Sequence, residues 1–212
     1  MRTTDKGLSR RELLKRAGMA GAAAVIIPVI ADAPAVAAAR EPLEALTEPE
    51  ADILEAICAR LIPTDENGPG ATEARAAHYI DRALAGFLAP SRQAYAAGLA
   101  DIDRRAVALR GTPFAKLPPA DQDGVLKAVE ATPFFVLVRN HTIQGTFCDP
   151  FYGGNANFVG WDLLGYPGVR TVVTAEEQRI GITLKPNHKS AYDYAMFNKA
   201  TARAHDGHGD ET

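Results

Sequence analysis

The sequence has none of the motifs with which proteins commonly hold redox cofactors or nucleotides. It has no GxGxxG phosphate-binding turn, no CxxCH haem attachment site, no CxxC pair and no GxSxG nucleophile elbow. A flavin, haem or iron–sulfur protein that works alone normally carries one of these motifs. We therefore expect no catalytic residue, no cofactor and no metal on this chain.

Cysteine is also scarce. Two cysteines, Cys58 and Cys148, are too few for a disulfide framework and lack metal-ligand spacing. Three states stay open for them: a bond with each other, a bond with another chain, or free buried thiols, which is the state we expect.

The sequence has no excess of positive charge. Residues 38–212 carry 17 Lys/Arg and 23 Asp/Glu, a net charge of −6. This balance argues against a nucleic-acid partner.

The first 39 residues have the pattern of a twin-arginine signal peptide. The motif consists of Arg10, Arg11, Leu13, Leu14 and Lys15. An Ala-rich apolar run (17–30) follows, and the small residues 35–39 suit a signal peptidase that cleaves after Ala37 or Ala39. The competing interpretation is a transmembrane anchor, but the run contains Pro28 and is barely long enough to span a bilayer. The pattern predicts a periplasmic protein that engages the twin-arginine translocase.

The twin-arginine route moves folded proteins, usually because a cofactor must be inserted before export. Such a chain either binds a cofactor or escorts a protein that does.

Apolar residues recur at helical spacing in five stretches. The first begins at Thr47, with Glu50 as its capping-box partner, and stops at Pro63; the others run from Thr72 to about Leu88, from Ser91 to Gly111, from Pro118 to Val129, and from Thr132 to Phe147. Thr64 and Asp65 are interpreted as turn or capping residues rather than as cation ligands. Without sustained alternation, the pattern predicts an all-α fold, a compact bundle of about five helices with a long Gly/aromatic-rich C-terminal loop region.

Residues 148–168 combine glycines and aromatic residues without a helical period. The segment is either a flap over the core, with Phe151 and Trp161 buried, or a protein interface with aromatic anchors. The candidate partner interface consists of Asp149, Phe151, Tyr152, Asn155, Phe158, Trp161 and Tyr166. We expect a helical domain over 40–175 that includes this loop, and a polar extension over 176–212 with a disordered end.

Four stretches of the sequence resemble the gluconate 2-dehydrogenase subunit 3 family. They are Leu61–Asp65, Gly145–Asn155, Gly160–Trp161 and Gly165–Gly168. The likeness covers roughly Leu46 to Gly168.

The resemblance implies the small subunit of a dehydrogenase complex that is attached to the membrane through its other subunits. Its partner would be a large FAD-dependent subunit of the glucose–methanol–choline type that oxidises a sugar, a sugar acid or another alcohol. A c-type cytochrome subunit with haem c often accompanies such a pair. The small subunit would supply the export signal that the large one lacks, and the resemblance implies no catalytic residue on this chain.

Two rival functions stay open at this point. A metal-dependent oxidoreductase would use His141, Asp149 and Tyr152. A periplasmic sugar-binding protein would stack its ligand on the aromatic loop.

Overall fold

The computed structural model describes residues 41–197. The twin-arginine residues Arg10, Arg11, Leu13, Leu14 and Lys15 and the tail His205–Thr212 therefore lie outside the described residues. Within residues 41–197 the fold is all-α and has no β-strand, as predicted. The α-helices are α1 (Glu48–Leu61), α2 (Ala76–Ala85), α3 (Arg92–Arg110), α4 (Pro119–Val129), α5 (Pro133–Phe147) and α6 (Val159–Leu164). None of them is long and apolar enough to cross a membrane.

The capping box at the start of α1 is confirmed. The Glu50 carboxylate accepts hydrogen bonds from the Thr47 backbone N–H at 2.8 Å and from the Thr47 hydroxyl at 2.9 Å. Burial works to raise the pKa of Glu50, but the Thr47 N–H and the Arg92 guanidinium, 2.6 Å away, lower it overall. Glu50 therefore fixes the start of α1 and also ties it to α3.

The second helix is shorter than predicted. Arg75 adopts a left-handed conformation (φ 58°), so the chain makes turns before α2 begins at Ala76. Glu73 stabilises these turns because its carboxylate accepts from the Thr64 hydroxyl at 2.6 Å and the Gly70 N–H at 2.9 Å. At the other end the backbone of Gly86 leaves the helical region, which leaves Phe87 and Leu88 outside α2.

The remaining predicted boundaries agree with the structure, except for the role of Ser91. Gly111 ends α3 at a positive φ of 69°, Pro119 is the first residue of α4, and the Thr132 hydroxyl accepts from the Phe135 N–H at 3.2 Å to cap α5. Ser91 precedes α3 but makes no capping bond, because its backbone is already helical and a 3₁₀ turn runs straight into α3.

The core lies between α1, α2, α3 and α5, with α4 closing one side. Its fully buried side chains are Leu54, Ile57, Ile80, Tyr95, Leu99, Ile102, Phe114 and Val138. The buried carboxylate of Asp81 in α2 accepts the backbone N–H groups of Glu44, Ala45 and Leu46 at 2.7–3.0 Å. This nest of amides fixes residues 44–46 against α2 and needs no cation.

The segment 148–168 is less of a loop than predicted. It contains 3₁₀ turns at Pro150–Tyr152 and Ala156–Phe158, and it ends in α6. Six residues are too few to show a helical period in sequence.

Candidate docking surface

Asn155 holds the loop together from inside. Its side chain is fully buried; Nδ2 donates to the Cys148 carbonyl at 2.8 Å, and Oδ1 accepts from the backbone N–H groups of Gly160 at 2.8 Å and Trp161 at 3.4 Å. Its own N–H bonds the Gly145 carbonyl at 2.8 Å. Asn155 has a φ of 45°, in the left-handed region that Asn tolerates better than most residues. This one side chain thus joins the end of α5 to the start of α6.

Two glycines let the loop lie directly on α5. A Cβ at Gly154 would collide with the Gly145 carbonyl oxygen, and a Cβ at Gly160 would collide with that of Thr146. Any other residue would push α6 away from α5.

Trp161 lies beneath the loop and is buried. Its indole N–H donates to the Phe147 carbonyl at 3.0 Å, and its ring contacts Phe158 and Tyr166 at centroid distances of 5.4 and 4.9 Å. A flap over the core was expected to bury both Phe151 and Trp161. Trp161 is buried, whereas Phe151 is exposed.

Asp149 binds the C-terminal segment of its own chain. Oδ1 accepts the Ser190 hydroxyl at 2.6 Å and the Phe151 N–H at 3.0 Å, and Oδ2 accepts the Ala191 N–H at 2.8 Å. The Asp149 carboxylate thus caps the 3₁₀ turn Pro150–Tyr152 and also holds the start of a second 3₁₀ turn, Ala191–Asp193.

Tyr192 of that second turn covers part of the aromatic pair in the loop. Its ring stacks on Phe151 with centroids 3.7 Å apart, and its hydroxyl lies 2.8 Å from that of Tyr152. The pKa of Tyr152 is raised to about 12, mainly by the hydrogen bond to Tyr192 and to a smaller extent by partial burial. A further contact joins His188 to Asp162 at 2.7 Å, with the imidazole stacked on Phe158.

The predicted interface is thus divided by the structure. Phe151, Tyr152 and Tyr166 are exposed, Asp149 and Phe158 are half-buried, and Asn155 and Trp161 are inside the chain. Asn155 and Trp161 both make internal hydrogen bonds that position the loop, and their part in a partner interface stays a prediction.

Two open grooves share Phe147 in their lining. One of about 540 Å³ is lined by Tyr79, Phe87, Ile143, Gln144, Phe147, Cys148 and Tyr152. The other, of about 600 Å³, is lined by Phe147, Trp161, Leu164, Gly165, Tyr166 and Pro167. We call Phe147 and both grooves the docking surface. Phe87 lines the first groove and Leu164 the second, and they are 65% and 64% exposed. Exposed apolar side chains that cluster around grooves are typical of contact sites.

The interface predicted from the sequence did not include Phe87, Ile143 or Leu164. The available signal was in α5, where Ile143 and Phe147 lie four residues apart and so share one face of the helix. Nothing in the sequence indicates that this face of α5 is open to solvent.

The three residues of the rival oxidoreductase site are not joined by hydrogen bonds in the described part of the chain. His141 is buried with Nδ1 2.9 Å from the Tyr95 hydroxyl, whereas Asp149 and Tyr152 bond the C-terminal segment. Burial lowers the pKa of His141. Residues 41–197 also contain no group of three His, Cys, Asp or Glu that could hold a metal ion.

Both thiols are free in the structure. Cys58 is in the core, 3.3 Å from the Thr142 hydroxyl, and burial raises its pKa to about 12. Cys148 is half-buried at the first groove, where burial raises its pKa to about 11.

Comparison with known proteins identifies one family. No curated protein and no solved structure matches the chain significantly. The family model described as gluconate 2-dehydrogenase subunit 3 matches residues 48–168, more than half of the chain. The match begins with α1 and ends just after the second groove, so it contains the helical core and the docking surface. The chain therefore belongs to the gluconate 2-dehydrogenase subunit 3 family.

Proposed function

We propose that this chain is the non-catalytic small subunit of a periplasmic flavin dehydrogenase complex. The partner is a large FAD-dependent subunit of the glucose–methanol–choline type, which oxidises a sugar, a sugar acid or another alcohol. A third subunit with haem c receives its electrons and holds the complex at the membrane. This chain brings the flavin-loaded partner through the twin-arginine translocase on the signal of residues 1–39.

The observation that carries the proposal is the docking surface within the matched family region. Phe87, Ile143 and Leu164 expose apolar area around the half-buried Phe147. Apolar and aromatic side chains at the centre of an interface normally provide most of its binding energy.

The loop 148–168 also supports this surface from beneath. Asn155, Gly160 and Trp161 fix the loop to α5 by hydrogen bonds and close backbone contact. A surface that is already ordered loses little conformational entropy when a partner binds.

The test is co-purification of a flavoprotein with the tagged chain from its native periplasm and membrane. We expect flavin absorbance on a large partner, and at least a tenfold loss of it in Ile143→Asp and Leu164→Asp, one variant for each groove. Leu109→Asp is the matched control, because Leu109 is 53% exposed on α3 and lines neither groove.

Two outcomes would count against the proposal. A wild-type chain that brings down no flavoprotein removes the subunit function itself. Groove variants that retain the partner as well as Leu109→Asp does would place the interface elsewhere on the chain.

A further inference from the structure

Residues 169–189 form an arm that hydrogen bonds join at its base. The Asn187 N–H donates to the Pro167 carbonyl at 3.1 Å, and Asn187 Nδ2 donates to the Val169 carbonyl at 2.7 Å. The matched family region ends at Gly168, so the family assignment does not account for the arm.

An ion pair inside the arm holds its shape. The Arg170 guanidinium bonds the Glu177 carboxylate at 2.8 Å and the Lys185 carbonyl at 2.5 Å. Arg170 and Glu177 therefore neutralise each other, and the other charged side chains of the arm decide what its surface attracts.

A tight turn within the arm presents one aliphatic side chain to solvent. The Ile182 N–H donates to the Arg179 carbonyl at 3.3 Å, and Gly181 between them has a positive φ of 85°. Ile180 is in the middle of this turn and is fully exposed. Three more aliphatic side chains of the arm are at least 47% exposed: Val172, Val173 and Ile182. Exposed apolar area of this kind typically marks a contact surface.

The arm has the opposite charge to the helical domain. Residues 169–189 carry four Lys/Arg and two Asp/Glu, a net charge of +2, whereas residues 41–168 carry 10 Lys/Arg and 17 Asp/Glu, a net charge of −7. The exposed cations of the arm are Arg179, Lys185 and Lys189, against one exposed carboxylate, that of Glu176. Arg179 directly precedes Ile180, so one turn presents both a cation and an aliphatic side chain. Charge complementarity therefore points to an anionic surface that also accepts aliphatic groups.

The composition of the arm favours a lipid surface over a protein. Protein interfaces are enriched in aromatic residues and depleted in Lys, whereas the arm has two Lys and no Phe, Tyr or Trp. The docking surface of the same chain has the contrasting composition, with Phe87, Phe147 and Trp161. At a bilayer, aliphatic side chains enter the edge of the hydrocarbon and Lys and Arg stay with the anionic headgroups. The headgroup layer is hydrated, so the exposed backbone N–H groups of the arm keep their water.

We propose that the arm binds the anionic surface of a phospholipid bilayer, with Ile180 inserted and Arg179 and Lys185 at the lipid phosphates. A few aliphatic side chains and cations give a shallow, reversible contact rather than an anchor. This inference goes beyond the proposed function, in which another subunit holds the complex at the membrane, and it needs no partner protein.

The test places the environment-sensitive fluorophore NBD on the arm of the full-length chain. Ile180→Cys is labelled in a Cys148→Ser background, in which the buried Cys58 is the only other thiol. NBD emission should rise about threefold with vesicles of phosphatidylglycerol and phosphatidylcholine, because the probe leaves water, and should not change with phosphatidylcholine alone. Leu109→Cys, exposed on α3, is the control position and should not respond. A probe at one position reports the arm separately from the basic and apolar residues 1–39.

The charge requirement is tested by removing two cations from the arm. Arg179→Gln combined with Lys185→Gln should raise the lipid concentration that gives half of the response at position 180 by about tenfold. Lys116→Gln combined with Lys127→Gln removes the same charge from exposed positions in the helical domain and should stay within about twofold of the parent chain.

Three outcomes would overturn the inference. A probe at position 180 that does not respond to anionic vesicles removes the lipid contact. An equal response at positions 109 and 180 shows that the arm is not the part that meets the bilayer. A probe at position 180 that ignores vesicles but responds to the purified flavoprotein subunit makes the arm a protein contact. The first two results leave the proposed function standing, because no partner is present in the vesicle experiment.

Discussion

The indole N–H of Trp161 donates to the carbonyl oxygen of Phe147 over 3.0 Å. Phe147 is the last residue of α5, and it lines both grooves. The bond therefore fixes the centre of the docking surface from the buried side. Trp161, which also lines the second groove, thus helps to hold Phe147 in place.

Removal of the buried amide at position 155 should loosen this arrangement. Asn155→Ala loses three side-chain hydrogen bonds and leaves Ala at a positive φ, so we expect a loss of about 3 kcal/mol in the free energy of unfolding. Trp161 is the only tryptophan, and its emission should move to longer wavelength in the native variant. Urea unfolding followed by circular dichroism measures the first effect and native fluorescence the second.

Asn140→Ala is the matched control, since Asn140 is exposed on α5 and should change stability by less than about 0.5 kcal/mol. Equal effects of the two variants would contradict the internal role of Asn155.

Much of the helical core was predictable because its signals are local. The Thr47–Glu50 pair, Gly111 and Thr132–Pro133 each mark a helix end through residues only a few positions apart.

The candidate site was less predictable because it depends on distant contacts. The bonds of Asp149 to Ser190 and Ala191 span more than 40 residues, and no sequence pattern reveals them.

Loss of the Asp149 carboxylate should free the C-terminal segment without unfolding the core. Asp149→Ala removes the acceptor for the Ser190 hydroxyl and the Ala191 N–H, and both of these bonds are partly buried but lie outside the hydrophobic core. We expect faster amide hydrogen exchange at 190–194 and a stability change below about 2 kcal/mol. Glu176→Gln changes an exposed carboxylate outside residues 190–194 and serves as the control. Unchanged exchange at Ala191 in Asp149→Ala would show that Tyr192 stacking alone holds the segment.

Stability should fall in acid because of His141. Burial lowers the pKa of His141 in the folded state below its ordinary value near 6.5, so the unfolded chain binds a proton first as the pH falls. The free energy of unfolding therefore decreases as the pH drops below about 6.5, until the folded-state pKa is reached. His141→Gln cannot titrate and still offers a hydrogen bond to Tyr95. The wild-type chain should lose more stability between pH 7 and pH 5 than this variant; parallel curves would contradict the assignment.

The two thiols should react slowly and in a fixed order. With a pKa of about 11, Cys148 is about one part in a thousand thiolate at pH 8, and Cys58, with a pKa of about 12, is also shielded by the core. In the native chain a disulfide reagent should modify Cys148 slowly and leave Cys58 until the chain unfolds. Cys148→Ser should therefore have no reactive thiol in the native state, and Cys58→Ser should keep one. Rapid modification of Cys58 in the native chain would contradict its place in the core.

We propose that this chain carries a flavin-loaded partner out of the cytoplasm. The location of that partner in cells with a disabled signal tests this export role. Arg10→Lys combined with Arg11→Lys leaves residues 41–197 unaltered. We expect the flavoprotein subunit to accumulate in the cytoplasm with its flavin bound and to be lost from the periplasm at least tenfold. A partner that reaches the periplasm at wild-type levels in the double variant would contradict an export role for this chain.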